Sequence, residues 1–167
     1  MNFELAHMDN SQTIANLINK AYRGNIGWTR EENLVSGDRI SSKQVEDIIL
    51  NENSYLFMIK DMNGIIACVC IEKNDNIAQL GLFAVNPSIQ NKGLGKKIIN
   101  LAEEFIKKKL NISKIEIIVL SERKELISYY ERRGYTKTNI IKEYPKNLDV
   151  GIPKRDDLKI EYLEKNI

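Results

Sequence analysis

The stretch Leu80–Ile99, which reads LGLFAVNPSIQNKGLGKKII, decides the fold of this 167-residue chain. Its first six residues are apolar except for one glycine, which predicts a buried strand. Pro87 marks the end of that strand. Gly93 and Gly95 then open a run in which apolar residues recur at helical spacing as far as Lys109. The stretch therefore predicts a strand, a turn and a helix, with two glycines where the helix begins.

The predicted helix start has the chemistry of an anion site. The first backbone N–H groups of a helix have no partner within it and carry partial positive charge. Glycines at positions 93 and 95 would let an anion approach the backbone closely, and Lys92, Lys96 and Lys97 add positive charge. Each exposed helix-terminus contact contributes about 0.3–1 kcal/mol, so a diphosphate would bind reversibly. The same pattern would also fit glycines that only ease the turn and lysines that face solvent.

The segments around this stretch predict an α+β fold. Apolar runs at Ser54–Lys60, Ile65–Glu72 and Ile77–Val85, with the turn signal Asn63-Gly64, indicate an antiparallel meander. Further strands are predicted at Phe3–Ala6, Lys114–Leu120, Tyr135–Ile141 and Lys159–Leu163. We expect one domain over residues 1–167, with a central mixed, mostly antiparallel sheet of about seven strands flanked by about four helices.

Capping signatures predict the remaining helices. One helix follows Asp9, Asn10 or Ser11, and Ser121 is expected to cap a last helix that ends at Gly134. Thr29 and Glu32, spaced as in a capping box, predict a short helix that ends near Gly37. Ser41 and Gln44 repeat that spacing before a further helix.

Composition excludes several classes of protein. The chain has 25 basic and 23 acidic residues, a net charge of +2, which does not favour a nucleic-acid binder. No apolar run approaches the roughly 18 residues of a membrane span, and the N-terminus has no signal-peptide pattern. Cys68 and Cys70 would point to one face of a strand in a poor geometry for a disulfide, and with the lone His7 they make a weak metal site. We therefore expect reduced core thiols, no metal, no membrane and a cytoplasmic protein.

The segment Gln90-Asn91-Lys92-Gly93-Leu94-Gly95 resembles the Gln/Arg-x-x-Gly-x-Gly/Ala motif of the GNAT superfamily of acetyl-coenzyme A-dependent N-acetyltransferases. The preceding Val85-Asn86-Pro87 and the order of elements are also typical of that superfamily. The resemblance implies a GNAT-like fold and acetyl-coenzyme A as cosubstrate. It implies contacts of Phe83, Ala84 and Val85 with the pantetheine arm and thioester, and of Gln90, Asn91, Lys92, Gly93, Leu94, Gly95 and Lys96 with the pyrophosphate.

A second stretch, Leu126–Tyr135, resembles the Tyr-Glu-Lys-x-Gly-Phe ending of the same superfamily. The resemblance places Tyr130 at the position of the general acid. A phenol with a pKa near 10 is protonated at neutral pH and can donate to a departing thiolate. The alternatives are that Tyr130 is only a core residue or that Tyr129 is the acid.

Two positions depart from the pattern of the superfamily. Arg123 replaces an Asn that touches the pantetheine, and it would either reach a coenzyme phosphate or face solvent. Gln79 replaces the Glu that often acts as general base, and an amide cannot accept a proton at neutral pH. An alkyl amine with a pKa of about 10.4 is only about one part in 2,500 neutral at pH 7. The candidate bases are therefore Glu72, Glu116, Glu122 or a water relay along strand carbonyls.

The resemblance places the acceptor side between the first helix and the second strand, together with the late loop, and Tyr22, Trp28 and Gln79 are candidate contacts. Trp28 would be either an aromatic wall of the pocket or a staple on the short helix after Thr29. The charged loop Gly151–Leu158 would either close over an acceptor or stay solvated.

The resemblance therefore implies an N-acetyltransferase that acts on a primary amine of a small molecule or peptide, as a monomer or homodimer. The alternative is a non-catalytic module that binds or senses acetyl-coenzyme A.

Overall fold

A seven-stranded sheet forms the centre of the computed structural model, which describes residues 2–90 and 93–167. The strands of this sheet are β1 (Asn2–Leu5), β3 (Ser54–Asp61), β4 (Gly64–Asn74), β5 (Ile77–Val85), β6 (Lys114–Leu120), β7 (Thr136–Glu143) and β9 (Lys159–Asn166). Their spatial order is β1-β3-β4-β5-β6-β9-β7, and every neighbouring pair is antiparallel except β5 and β6. Two short strands, β2 (Val35–Ser36) and β8 (Ile152–Pro153), pair separately and were not predicted.

Four α-helices cover the two faces of the sheet: α1 (Ser11–Arg23), α2 (Ser42–Leu50), α3 (Leu94–Phe105) and α4 (Lys124–Glu131). Helices α1 and α2 bury residues such as Ile14, Ile18 and Val45 against one face. Helices α3 and α4 bury Ile98 and Ile127, among others, against the other face. The predicted α+β fold, with its mostly antiparallel sheet and four helices, is confirmed.

Local sequence signals account for most of these boundaries. The Ser41–Gln44 capping box is present, because the Ser41 hydroxyl accepts from the Gln44 amide and the Gln44 side chain accepts from the Ser41 amide. Asn10 precedes α1, as predicted. The α-helical part of α3 ends at Phe105, and a π-helical turn follows it from Ile106 to Leu110.

Two predicted helix boundaries were wrong. No helix follows Thr29: residues 29–37 form a loop, a turn and β2. The capping box fails because its members have other partners, with Thr29 bonded to Glu125 and Glu32 paired with Arg30. Ser121 does not cap α4, which begins three residues later with Arg123 at its N-cap.

Strands β5 and β6 separate after a short parallel ladder. They pair only where Ile77–Gln79 face Lys114–Glu116, so the rest of β5 has no partner on that side. A β-bulge increases the bend, since Leu82 and Phe83 together face one residue of β4. The backbone of Leu82 is in the left-handed region, with a φ of 45°. The two diverging strands leave an opening at the carboxyl end of β5.

Both cysteines lie in the core. Cys68 and Cys70 are each 1% exposed and unbonded to one another, and both belong to the cluster beneath α1 and α2. Burial raises the pKa of the Cys68 thiol to about 12, so this thiol is not a nucleophile at neutral pH. Throughout residues 2–90 and 93–167, no helix is both long enough and apolar enough to cross a membrane.

Candidate active site

A cavity of about 360 Å³ occupies the opening between the separated strands. Its walls come from the end of α1, the loop of residues 24–34, the end of β5, the start of α3 and one face of α4. The side chains that line it include several aromatic residues and four cations: Lys96, Arg123, Arg132 and Arg133. No aspartate, glutamate or histidine is among the described residues that line it. The cavity is therefore strongly electropositive although the whole chain is nearly neutral.

The first amides of helix α3 lie beside this cavity, since Leu94, Gly95 and Lys96 are among the residues that line it. The first backbone bond of the helix runs from Lys97 N–H to the Gly93 carbonyl, at 3.2 Å, so the amides of Leu94, Gly95 and Lys96 have no acceptor within the helix. Gly93 has a left-handed φ of 75°, and a Cβ placed on it would meet nothing within 4 Å. The geometry leaves open space beside donors that favour an anion.

Tyr129 covers the second glycine of the motif. A Cβ on Gly95 would lie 2.8 Å from the Tyr129 hydroxyl and 3.3 Å from the Phe83 ring. The Arg133 guanidinium stacks on the Tyr129 ring at 3.3 Å from its centroid, and Trp28 packs on it at 5.4 Å. Gly95 is therefore needed for close packing, and Arg133 is held next to the start of α3.

Tyr130 lies deeper than Tyr129, on the same helix. It is 4% exposed yet lines the cavity, and its ring packs edge-on against Tyr129 and Tyr135. Burial raises the pKa of the Tyr130 phenol above 10, while the positive charge of Arg123 acts in the opposite direction. The phenol is thus protonated throughout the physiological range and is placed where it can donate to a molecule in the cavity.

Arg123 belongs to a buried ion-pair triad. Its guanidinium donates to Glu31 at 2.6 Å and to the Thr29 hydroxyl at 3.2 Å, and Glu31 also pairs with Arg23. The side chains of all three charged residues are less than 10% exposed. The alternative that Arg123 faces solvent was wrong. The Arg123 guanidinium is thus bonded to Glu31 and Thr29 within the protein. Its contact with a coenzyme phosphate stays a prediction.

The loop of residues 24–34 is fastened to the end of β5 by Gln90. The Gln90 side chain accepts from the Trp28 amide at 2.7 Å and donates to the Val85 carbonyl at 3.2 Å. This bridge holds Trp28 in the cavity wall, which Tyr22 also lines. The staple interpretation of Trp28 was wrong because the helix that it would brace is absent.

Most residues predicted from the sequence meet at this cavity. Those that line it are Tyr22, Trp28, Phe83, Ala84, Val85, Gln90, Gly93, Leu94, Gly95, Lys96, Arg123 and Tyr130. Asn91 and Lys92 lie outside the described residues. Gln79 does not line the cavity: it sits where β5 still pairs with β6, opposite Glu116. The candidate bases Glu72, Glu116 and Glu122 are likewise absent from the lining.

Sequence reasoning missed the acidic centre of the triad and two of the cations. Glu31 has no sequence signal of its own, since nothing local indicates a bond to a residue 92 positions away. Arg132 and Arg133 were read only as part of the family's helix ending, although they close the cavity beside Tyr129. Their position at the end of an amphipathic helix next to a predicted anion site was the one available signal.

Comparison with known proteins identifies the family to which this chain belongs. The model of the Acetyltransferase (GNAT) family matches residues 13–135. An uncharacterized N-acetyltransferase of Methanocaldococcus jannaschii is 30% identical over 95 residues, which are 52% of this chain and 41% of that protein.

Two solved structures share the fold across 99% of this chain. One is a variant of the spermidine N-acetyltransferase SpeG of Vibrio cholerae, with a TM-score of 0.73, 18% identity and 95% of its own chain covered. The other is the ribosomal-protein-S18-alanine N-acetyltransferase of Escherichia coli, with a TM-score of 0.73, 15% identity and 93% coverage. The family match covers most of the chain and includes both the turn before α3 and Tyr130. This chain belongs to the GNAT acetyltransferase family.

Proposed function

We propose that this protein transfers an acetyl group from acetyl-coenzyme A to a primary amine of a small molecule or peptide, by direct attack of the amine on the thioester. The observation that carries the proposal is the cavity itself, which is lined both by the first residues of α3, whose amides have no acceptor within the helix, and by Tyr130. Family membership supplies the cosubstrate and the reaction class. We further propose that the whole of residues 1–167 acts as one catalytic domain.

The residues present fit the proposed cosubstrate. The amides of Leu94, Gly95 and Lys96 would hold the diphosphate, and the open space at Gly93 would admit it. The cations Lys96, Arg132 and Arg133 lie at the same end and would add charge-assisted contacts. The part of β5 that pairs with β4 but no longer with β6 would lie along the pantetheine arm, with backbone groups near Phe83–Val85 polarising the thioester carbonyl.

The chemical step needs one acid and a neutral amine. The amine nitrogen attacks the thioester carbon, and collapse of the tetrahedral intermediate breaks the carbon–sulfur bond. Tyr130 donates its proton to the departing sulfur, and the proton that the nitrogen loses restores the phenol. The buried thiols take no part, since Cys68 and Cys70 are outside the cavity and their pKa values are raised by burial.

The pH dependence of turnover tests this function. Because the described lining offers no carboxylate or histidine, the amine must lose its proton to water, so kcat/KM for an alkyl amine should rise about tenfold per pH unit from pH 7 towards 10. The raised pKa of Tyr130 keeps the phenol protonated over this range, so it adds no falling limb. Release of free thiol from acetyl-coenzyme A measures the rate.

A less basic amine provides the control for the same experiment. A peptide α-amine, with a pKa of about 7.7–8.0, should level off near pH 8 while the alkyl amine continues to rise. If both amines level off at one shared pH, a base on the enzyme sets the profile and unassisted deprotonation is excluded. If acetyl-coenzyme A binds but no amine releases thiol, the protein is a binding or sensing module.

A Gly93→Ala substitution tests the diphosphate site. The added methyl group would occupy the space next to the α3 amides, and we expect Kd for acetyl-coenzyme A to rise at least about tenfold, equivalent to 1.4 kcal/mol. The left-handed φ adds a stability cost of about 1–2 kcal/mol. Isothermal titration gives the affinity and a thermal melt gives the stability.

Gly37→Ala is the matched control for that substitution. Gly37 has a φ of 78° and equally open surroundings, but it lies in the loop after β2, away from α3. The two variants should lose similar stability, and only Gly93→Ala should lose affinity. Equal affinity in both variants would remove the α3 turn from coenzyme binding.

A further inference from the structure

The cations near the cavity form two groups at opposite ends of α4, and the second group includes Arg39, which is outside the cavity lining but lies with Arg123 at the Tyr22 ring. Arg132 and Arg133 follow the last turn of the helix, beside Tyr129 and the start of α3. Arg123 is the N-cap residue, nine positions earlier, so it lies about 13 Å away along the helix axis. A diphosphate bound at the start of α3 accounts for the first group. The second group has another role.

The second group surrounds Tyr22. The guanidinium of Arg39 lies 5.7 Å from the centroid of the Tyr22 ring, and that of Arg123 lies 5.8 Å from it. Tyr22 lines the cavity, whereas Arg39 is half-buried beside it. Burial raises the pKa of the Tyr22 phenol, and of the nearby charges Arg39 opposes this rise most. Both guanidinium groups are therefore close to the ring of Tyr22, a residue that lines the cavity.

The carboxylates near Tyr22 do not neutralise the positive charge of the arginines there. Glu31 is the one carboxylate that affects the pKa of Tyr22, and it is shared between Arg23 and Arg123. Two of the arginines thus share one negative charge. Arg39 has no carboxylate within 4.0 Å among the described residues, although Asp38 precedes it in the chain.

One further carboxylate stands at the rim of the cavity. Glu125 is exposed on the first turn of α4, and it bonds to the hydroxyl of Thr29. Solvent screens its charge more than that of the buried residues. The net charge at the Tyr22 end therefore stays positive, with Arg39 as the available donor.

We propose that the acceptor is a primary amine that also carries an oxyanion, a carboxylate or a phosphate, and that Arg39 binds this group beside Tyr22. Arg123, held in place by Glu31 and Thr29, adds positive potential without direct contact. A guanidinium binds either oxyanion through paired, charge-assisted hydrogen bonds. The inference rests on the proposed function, since it names the class of amine that the same site acetylates.

Matched acceptor pairs test this inference in the wild-type protein. We expect 4-aminobutyrate to exceed butylamine in kcat/KM by about tenfold or more, which is 1.4 kcal/mol. O-phosphoethanolamine against ethanolamine is the phosphate arm, and the larger ratio identifies the preferred oxyanion. Spermidine, which brings further positive charge, should be the poorest acceptor.

Arg39→Gln should reduce the preference for the charged acceptor to less than about threefold. The control is Arg30→Gln, because Arg30 is an exposed arginine of the preceding loop that pairs with Glu32 and does not line the cavity. It should leave the ratio of the two acceptors unchanged. An equal loss in both variants would exclude a specific role for Arg39.

The outcomes separate the two proposals. If neutral amines or spermidine are acetylated as well as their anionic partners, the inference is overturned and the acetyltransferase function stands. If no amine of either kind releases thiol while acetyl-coenzyme A still binds, the proposed function itself is overturned.

Discussion

Replacing Tyr130 with phenylalanine should lower kcat about 10²-fold and leave the Kd for acetyl-coenzyme A unchanged. The phenol lines the cavity but is buried within a cluster of aromatic rings, so the substitution removes one oxygen and keeps the packing. A cysteine thiol has a pKa of about 8.5, and burial raises the pKa of Tyr130 above its usual value of 10, so the phenol is a weaker acid than a thiol of that kind. Complete proton transfer therefore needs the positive charge of Arg123, which lowers the pKa of Tyr130 and would stabilise the phenolate.

Tyr129→Phe is the matched control for this substitution. The Tyr129 hydroxyl lies over Gly95, at the diphosphate end of the cavity, and its ring is fixed between Trp28 and Arg133. Its loss should affect coenzyme binding more than kcat. Pre-steady-state measurement of thiol release separates the chemical step from product release. If Tyr129→Phe lowers the chemical rate more than Tyr130→Phe does, the general acid is Tyr129 and not Tyr130.

The sequence predicted the parts of the fold that depend on local signals. The strand before Pro87, the helix after Gly93 and the capping box at Ser41 all follow from residues within a few positions of each other. The same holds for the turn glycine Gly64, whose φ is 114°. These elements fix the strand–turn–helix unit, and with it the coenzyme end of the cavity.

The acceptor end depends on contacts that sequence spacing does not reveal. Thr29 and Glu32 have the spacing of a capping box, but Thr29 is bonded to Glu125 and Arg123 instead. Glu31, between them, pairs with Arg23 and Arg123. The bulge at Leu82 shifts the alternation of β5 by one residue, so the strand pattern alone does not show which side chains face the cavity. Gln79, placed in the site by resemblance alone, lies before that bulge and away from the cavity.

The same contacts explain how a nearly neutral chain forms an electropositive site. Arg123 and Arg133 are far from Lys96 in sequence, and the sheet brings α3 and α4 together on one face. Acidic residues are numerous, but those noted above as candidate bases lie outside the described lining. The distribution of charge, rather than its total, therefore carries the functional information.

Glu31→Gln should destabilise the protein by about 3–5 kcal/mol, because it leaves two buried guanidinium groups without their shared carboxylate. That is a large share of the roughly 5–15 kcal/mol that stabilises a typical domain. At about 2–4 °C per kcal/mol for a chain of this size, the melting temperature should fall by about 10 °C. Chemical denaturation gives the free energy of unfolding directly, and an unchanged m-value would show that the unfolding transition remains comparable.

Glu32→Gln is the control because it removes a neighbouring carboxylate from a pair with Arg30 that is partly exposed, at 28% and 40% of the two side chains. Exposed pairs contribute about 0–1 kcal/mol, so this variant should stay close to wild type. The difference between the two variants measures the burial of the triad. Because Glu31 also holds Arg123 near Tyr22 and Tyr130, Glu31→Gln should lower kcat even at temperatures where it remains folded. Equal stability in both variants would mean that solvent reaches Arg23 and Arg123. Arg123 would then not be held rigidly near Tyr22, and the proposed selectivity for anionic acceptors would lose the fixed positive charge on which it depends.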